Sequence, residues 1–240
     1  MITYFISDLH LQESCRDTAN LFFNFLATQA RQADAVYILG DFFELWVGDD
    51  ADSIFLQKVS AALQSLATAN VPVYFMHGNR DFLIGKDFIK KTNCIMLSDP
   101  CVVDLYGTKW LLCHGDTLID DPNYKRFRYI VRHPLIQAIF RKLPLKFRLG
   151  IAKKMRDNSQ KHYQHLVDSN TKILDVSQAL VDNMLTQHKV YGLIHGHTHR
   201  PGIHRFDLNH AAATRVVLGC WEKQAQILAY TPDGYQLETI

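Results

Sequence analysis

The chain opens on a short apolar run, Ile2–Ser7, that switches abruptly to polar residues at Asp8 and His10. Its β-branched and aromatic side chains, with no helical spacing, predict a buried strand. A different period follows. Leu21, Phe22, Phe25 and Leu26, within Thr18–Gln32, fall on one helix face. Ala35–Leu39 is a second apolar strand, ended by Gly40-Asp41. Ile54, Phe55, Val59, Leu63 and Leu66 mark another amphipathic helix, and Val71–Met76 a third strand, ended by His77-Gly78-Asn79. This order of strands and helices is that of a parallel sheet with crossover helices.

The pattern then changes. Cys101–Leu105 and Lys109–Cys113 flank Tyr106-Gly107-Thr108 and predict a hairpin. Strand-like segments return at Tyr191–Ile194, Ile203–Leu208, Arg215–Leu218, Gln226–Tyr230 and Tyr235–Thr239. Two packed sheets with helices outside, in one α/β domain over 1–240, accommodate both halves. Between them, about 122–186 reads as a helical insertion. Its window 125–161 is rich in Lys and Arg and holds a single acid, Asp157. Leu135, Ile136, Ile139, Phe140 and Leu143 fall there at helical spacing, so the insertion is basic and amphipathic.

Composition narrows the classes. The 240 residues suit one large domain with an ample core. Net charge is only +2, which argues against a nucleic-acid partner for the molecule as a whole and leaves the insertion as a local exception. Five cysteines (Cys15, Cys94, Cys101, Cys113 and Cys220), odd in number and without a CxxC pair, imply a reducing compartment and no disulfide framework. The first strand is preceded by no basic leader region, and no apolar run approaches the roughly 20 residues of a spanning helix. A cytoplasmic protein able to rest on a membrane surface is expected, with no obligate protein partner evident.

The informative polar residues sit where strands end. Asp8 and His10 follow the first strand, Asp41 the second and Asn79 the third. His114 follows the hairpin, and His197 and His199 follow the strand after the insertion. Open α/β sheets bind ligands at the carboxyl ends of their strands, so seven ligating side chains converge on one rim. Each alone is more often a turn former or cap. Together they form the carboxylate, amide and imidazole set suited to Mn²⁺, Fe or Zn²⁺. Two ions about 3.5–4 Å apart need a bridging anion, and Asp41 is the candidate. Asp8, His10 and one of the last histidines would complete one ion; Asn79, His114 and the other histidine would complete its neighbour. A shared water acidified toward hydroxide is the expected nucleophile, so no Ser/His or Cys/His pair is required.

The motifs D-x-H, G-D, G-N-x-D, H and G-H-x-H resemble those of the calcineurin-like metallophosphoesterases. The resemblance implies a two-sheet sandwich flanked by helices. It assigns Asp8, His10, Asp41 and His199 to one metal, and Asp41, Asn79, His114 and His197 to the other. The commonest pattern has histidine after the asparagine; here it is Arg80. A histidine can protonate an alkoxide leaving group, whereas arginine stays charged and clamps phosphoryl oxygens. Arg80 therefore points to cleavage of a phosphoric anhydride.

Longer stretches narrow the match. Tyr37–Asp50, His77–Leu83, His114–Leu118 and His195–Pro201 are similar to the UDP-2,3-diacylglucosamine diphosphatase branch of that family, which acts in lipid A biosynthesis. The likeness implies two Mn²⁺ ions and water attack on the α-phosphorus, giving UMP and 2,3-diacylglucosamine 1-phosphate. Asp41, Asn79, Arg80 and His114 would be the catalytic set. Substrate contacts would fall on Asn79, Arg80, Asp121, Ser159 and His197. The usual lysine after Ser159 has no direct counterpart, since Leu166 stands there; Lys161 and Lys172 are the candidate replacements. The insertion would act as a lid, supplying an apolar groove for the acyl chains and a basic face toward the anionic inner leaflet. The alternatives are another nucleotide-sugar or dinucleoside polyphosphate hydrolase of the same fold, a metal-free scaffold, or a nucleic-acid enzyme. No ligand is missing, which argues against the scaffold, and the insertion's Phe, Leu and Ile favour lipid over bases. Asp81 is expected to orient Arg80 or cap the next helix. Asp116 should hold His114 or form a turn, His195 is a third ligand, a substrate contact or, by preference, a hydrogen-bonded core histidine, and Trp46, Trp110 and Trp221 should be core.

Overall fold

The structure, a computed structural model, describes residues 1–168, 176–222 and 224–240, and only the backbone over 160–168. Its first sheet holds β1 (Thr3–Ile6), β2 (Ala35–Leu39), β3 (Val73–Met76) and β4 (Ile95–Met96) as parallel neighbours. The last two strands of the chain, β10 (Gln226–Thr231) and β11 (Gly234–Thr239), extend it antiparallel beyond β1. The second sheet runs in the order β5 (Cys101–Leu105), β6 (Thr108–Cys113), β7 (Gly192–His195), β9 (Ala211–Val217) and β8 (Gly202–Leu208). Strands β6, β7 and β9 are parallel within it.

Strand alternation builds the layers. Phe5, Tyr37, Leu39 and Leu228 of the first sheet pack with Trp110, Leu112, Ile194 and Val216 of the second. The opposite face of the first sheet, with Ile6, Val36 and Ile38, is covered by α1 (Arg16–Ala27) and α2 (Ile54–Thr68) through Phe22, Phe25, Val59 and Leu63. Because both faces are covered, the parallel strands read as continuous apolar runs rather than alternating ones. On the far side of the second sheet, α7 (Gln178–His188) buries Val181 and Leu185 against Leu111 and Leu193. The result is the expected α/β sandwich of two sheets between helices. Trp46, Trp110 and Trp221 are all buried.

Two short elements have no counterpart in the sequence pattern: β4 and α3 (Lys86–Thr92). Neither is long enough to display a period. Helix α3 is instead defined by Asp49, whose carboxylate accepts from the amides of Gly85, Asp87 and Phe88 across 36 to 39 residues of chain.

Between β6 and α7 lie α4 (Pro122–Val131), α5 (Pro134–Lys142) and α6 (Leu145–Asp168). Pro122 and Pro134 each start a helix, where a missing amide hydrogen costs nothing. These helices bury almost no apolar side chain of their own. Phe127, Tyr129, Leu135, Ile139 and Phe147 are all strongly exposed. What fastens them is polar. Arg148 of α6 is 2% exposed and donates to the carbonyls of Leu143 and Val47 and to the Asp50 carboxylate. None of the described helices is long and apolar enough to cross a membrane.

Candidate metal centre

Seven side chains meet at the carboxyl ends of the parallel strands, contributed by both sheets. Five of them, Asp8, His10, Asp41, His197 and His199, have positive φ between 49° and 72°. Non-glycine residues adopt that conformation uncommonly, and five of them at one rim is a concentration of strain of the kind found at functional sites. Here it turns each chain sharply off its strand end. The close approach is possible because Gly78 and Gly196 lack side chains: a Cβ on Gly78 would strike Asp41, and one on Gly196 would strike Ser7 and Asp8. Backbone bonds complete the rim, with His10 and Leu11 amides donating to the carbonyls of Asp41 and Phe42.

The ligand atoms form two groups, Asp8 with His10 and His199, and Asp41 with His114 and His197, each gathered within 4.8 Å. In the first, the Nε2 atoms of His10 and His199 face each other at 3.3 Å. Asp8 Oδ1 is buried, accepts no hydrogen bond, and lies 3.4 Å from His199 Nε2. Its other oxygen accepts from the His197 amide at 2.8 Å. His10 Nδ1 lies 3.1 Å from Glu44 Oε2, so a carboxylate backs the imidazole on the side away from the cluster.

In the second group, His114 is fully buried and its Nδ1 donates to the Leu39 carbonyl at 2.8 Å. Its Nε2 therefore faces acceptors only: Asn79 Oδ1 at 2.9 Å and Asp41 Oδ1 at 3.6 Å. Several lone pairs aimed at one point, with an orphaned carboxylate oxygen beside them, fit a divalent cation.

The protonation pattern agrees. Burial by itself would lower the pKa of His114, but the charges of Asp41, Asp8 and Asp116 outweigh it and push it up to about 9. His199 likewise overcomes burial through the Asp8 carboxylate beside it and rises to about 10. Protons thus stand where cations would be held. His10 and His197 are pushed down to about 4 by burial, which leaves their rings neutral and able to ligate. Asp8, despite its burial, is held below the usual carboxylate range by His199, His114 and His10.

Arg80 stands beside this centre. Its Nη1 donates to Glu44 Oε1 at 2.9 Å, its Nε lies 3.5 Å from Asp41 Oδ2, and its amide donates to Asp41 Oδ1. Arg156 of α6 also meets Glu44. Glu44 is therefore a shared anchor for His10, Arg80 and Arg156, a role that no pattern along the chain reveals.

One expectation is corrected. Asp81 neither orients Arg80 nor caps a helix. It is fully buried, and its two oxygens accept from the amides of Gly78 and Phe42, both at 2.7 Å. Burial and the Asp41 charge push its pKa up to about 6. Of the two roles expected for Asp116, it takes the turn: it begins the short turn Asp116–Leu118 and makes no hydrogen bond to His114. Its Oδ2 accepts from Tyr124 at 2.8 Å and from Arg128 at 2.7 Å, both on α4.

His195 is an interior histidine, fully buried, with Nδ1 donating to the Gly196 carbonyl and Nε2 near Arg215. Of the expected substrate contacts, Asn79, Arg80 and His197 lie together at the rim. Asp121 caps α4, accepting from the amides of Asn123 and Tyr124. Ser159 is exposed on α6. The Lys161 side chain and Lys172 lie outside the described residues.

The chain belongs to the calcineurin-like phosphoesterase family, whose model matches residues 1–201. The family implies divalent metal ions, and the two ligand groups supply candidate places for them. A solved structure described as a novel archaeal phosphodiesterase shares the fold, with a TM-score of 0.50 over the whole of both chains at 15% identity. Closer in sequence are proteins named UDP-2,3-diacylglucosamine hydrolase. The one from Photobacterium profundum is 45% identical over 100% of this chain and 97% of its own length. That from Serratia proteamaculans is 46% identical over 99% and 98%. Within the class, the chain belongs with these hydrolases.

Proposed function

We propose that this protein hydrolyses the diphosphate bond of UDP-2,3-diacylglucosamine in lipid A biosynthesis. Water attacks the α-phosphorus, and the products are UMP and 2,3-diacylglucosamine 1-phosphate. The observation that carries the reading is Arg80, a permanent cation fixed by Glu44 and Asp41 at the edge of the two ligand groups. The full-length likeness to hydrolases of that name supports the substrate.

Asp8, His10, Asp41 and His199 would hold one ion, and Asp41, Asn79, His114 and His197 the other, with Mn²⁺ the metal we infer. Bound divalent ions supply charge for the phosphoryl oxygens and make water acidic. The side chains of the site do the rest. Arg80 meets charge developing on the diphosphate, and the leaving phosphate needs no proton donor. Glu44 keeps Arg80 from swinging into solvent. The Leu39 carbonyl fixes which nitrogen of His114 faces inward, and the Glu44 carboxylate stands 3.1 Å behind the His10 ring.

The exposed apolar residues of α4–α6 are the part suited to the acyl chains and to a membrane surface. Leu135, Ile139 and Phe147 are each more than 60% exposed, and Lys142, Lys146, Lys153 and Lys154 are exposed with them. An anionic leaflet would attract those lysines at about 1 kcal/mol each.

The decisive measurement is turnover of UDP-2,3-diacylglucosamine with Mn²⁺ in ¹⁸O-labelled water. Label in UMP is expected. Label in the sugar phosphate would contradict attack at the α-phosphorus. Hydrolysis of dinucleoside polyphosphates, with the lipid untouched, would replace the substrate assignment.

A further inference from the structure

The turn Gly78–Phe82 carries both Asn79 and Arg80, so its position decides whether either can work. Its backbone is gripped at four polar points. The Gly78 amide donates to Asp81, the Arg80 amide to Asp41, and the Arg80 carbonyl accepts from the Trp46 amide. The fourth grip comes from the insertion: Arg132, at the end of α4, donates from Nη2 to the Gly78 carbonyl at 2.8 Å. The same guanidinium lies 5.6 Å from the centre of the Phe82 ring. Arg132 thus touches both ends of the turn.

Arg132 is itself held. Tyr124, Arg128 and Arg132 are four residues apart and form one stripe of α4. All three reach the same oxygen, the buried Asp116 Oδ2, with Arg132 at 3.6 Å. Arg128 extends further, to Asp99 at 3.4 Å. A surface helix with no fully buried side chain has little apolar packing to fix its position, and this ionic stripe adds to what there is. Asp116 lies two residues after His114 and is therefore rigid relative to the centre.

We infer that Arg132 is a positioning residue, coupling the insertion to the Asn79–Arg80 turn through the Gly78 carbonyl and the Phe82 ring. The insertion then does more than cover substrate: its first helix sets the geometry of a metal ligand and of the phosphoryl clamp. This rests on the assignment of Asn79 and Arg80 to the active site. Exchange and metal readouts are chosen so that the coupling is measured without any substrate.

The variants are Arg132→Ala, Arg132→Lys and, as a control on the same helix, the exposed Arg126→Ala. Hydrogen exchange over 78–82 in the metal-free protein should quicken in Arg132→Ala and stay unchanged in Arg126→Ala. Titration with Mn²⁺ should show weaker binding of one equivalent by roughly 10-fold, in line with other outer-shell losses. Turnover of UDP-2,3-diacylglucosamine should lose kcat about 10-fold with KM within about twofold. Lysine keeps the charge but lacks the planar fork, so Arg132→Lys should recover only part of each effect. A lower melting temperature with unchanged turn exchange and Mn²⁺ affinity would overturn the inference. If Arg132→Ala does not fold, wild-type behaviour of Arg132→Lys in all three readouts would do the same. A wild-type protein inactive on the lipid would sink the substrate assignment and leave the exchange and titration results standing.

Discussion

The rim and the insertion invert each other's chemistry. At the rim, Asp8, Asp81, His114 and Asp116 are charged or polar groups with no solvent exposure. Across α4–α6, Leu135, Ile139 and Phe147 are large apolar groups left in water. A buried ion is costly unless it is paired, and an exposed apolar patch marks a place where something binds. One region therefore asks for cations and the other for an apolar partner. The inversion also divides the basic residues. Arg128, Arg132, Arg148 and Arg156 turn inward onto carboxylates and carbonyls, where their planar fork is useful. Lys142, Lys146, Lys153 and Lys154 stay outside.

Substitutions that strike each region separately test the contrast. The largest effect is expected from His114→Ala. It removes a fully buried ligand and the bond to Leu39, so turnover should fall to background and metal titration should lose an equivalent. A variant with near-normal kcat would break the rim's assignment. Next, Arg80→Ala should cost on the order of 10²–10³ in kcat/KM, as loss of a transition-state charge partner does, with metal content intact. Arg80→Lys should recover part of it. Unchanged kcat/KM in Arg80→Ala would remove the anhydride argument.

A smaller effect concerns pH. His114 and His199 have folded-state pKa values near 9 and 10, above the ordinary value of 6.5. Both take up protons on folding in the metal-free protein. Their stabilisation is complete below about pH 6.5 and is lost as pH rises through 9 to 10. A cation must displace those protons. Mn²⁺ affinity measured by calorimetry should therefore rise with pH from 7 to 9, with proton release seen as a binding heat that changes with the buffer's ionisation enthalpy. A flat profile would place the ions elsewhere.

The smallest effects belong to the insertion surface. Lys146→Glu with Lys153→Glu should leave thermal stability within about 0.5 kcal/mol, since both residues are exposed. Binding to anionic vesicles at low salt should weaken by roughly fivefold or more for each residue, from about 1 kcal/mol apiece. Equal binding by wild type and variant would show that these lysines do not face the bilayer.

Much of this was legible along the chain because the signals are local. Apolar runs such as Ala35–Leu39, each ended by glycine and a ligating residue, mark strand and site together. Glu44 and Arg132 could not be read that way. Glu44 meets Arg80 across 36 residues and Arg156 across 112, and Arg132 meets Gly78 across 54. The four-residue spacing of Tyr124, Arg128 and Arg132 was visible, yet a basic stripe on an amphipathic helix reads equally as a solvent face. Asp116, its buried partner, lies eight residues before the stripe begins, with a turn between them.

Each candidate metal group draws on both sheets. Asp8 and His10 leave the first sheet at the start of the chain, and His199 leaves the second near its end; Asp41 waits in the same way for His114 and His197. During synthesis the first group cannot close until position 199 has been made, nor the second until position 197. Metal could thus be held only once residues of both sheets are in place, and ions bound there would rivet the two sheets together.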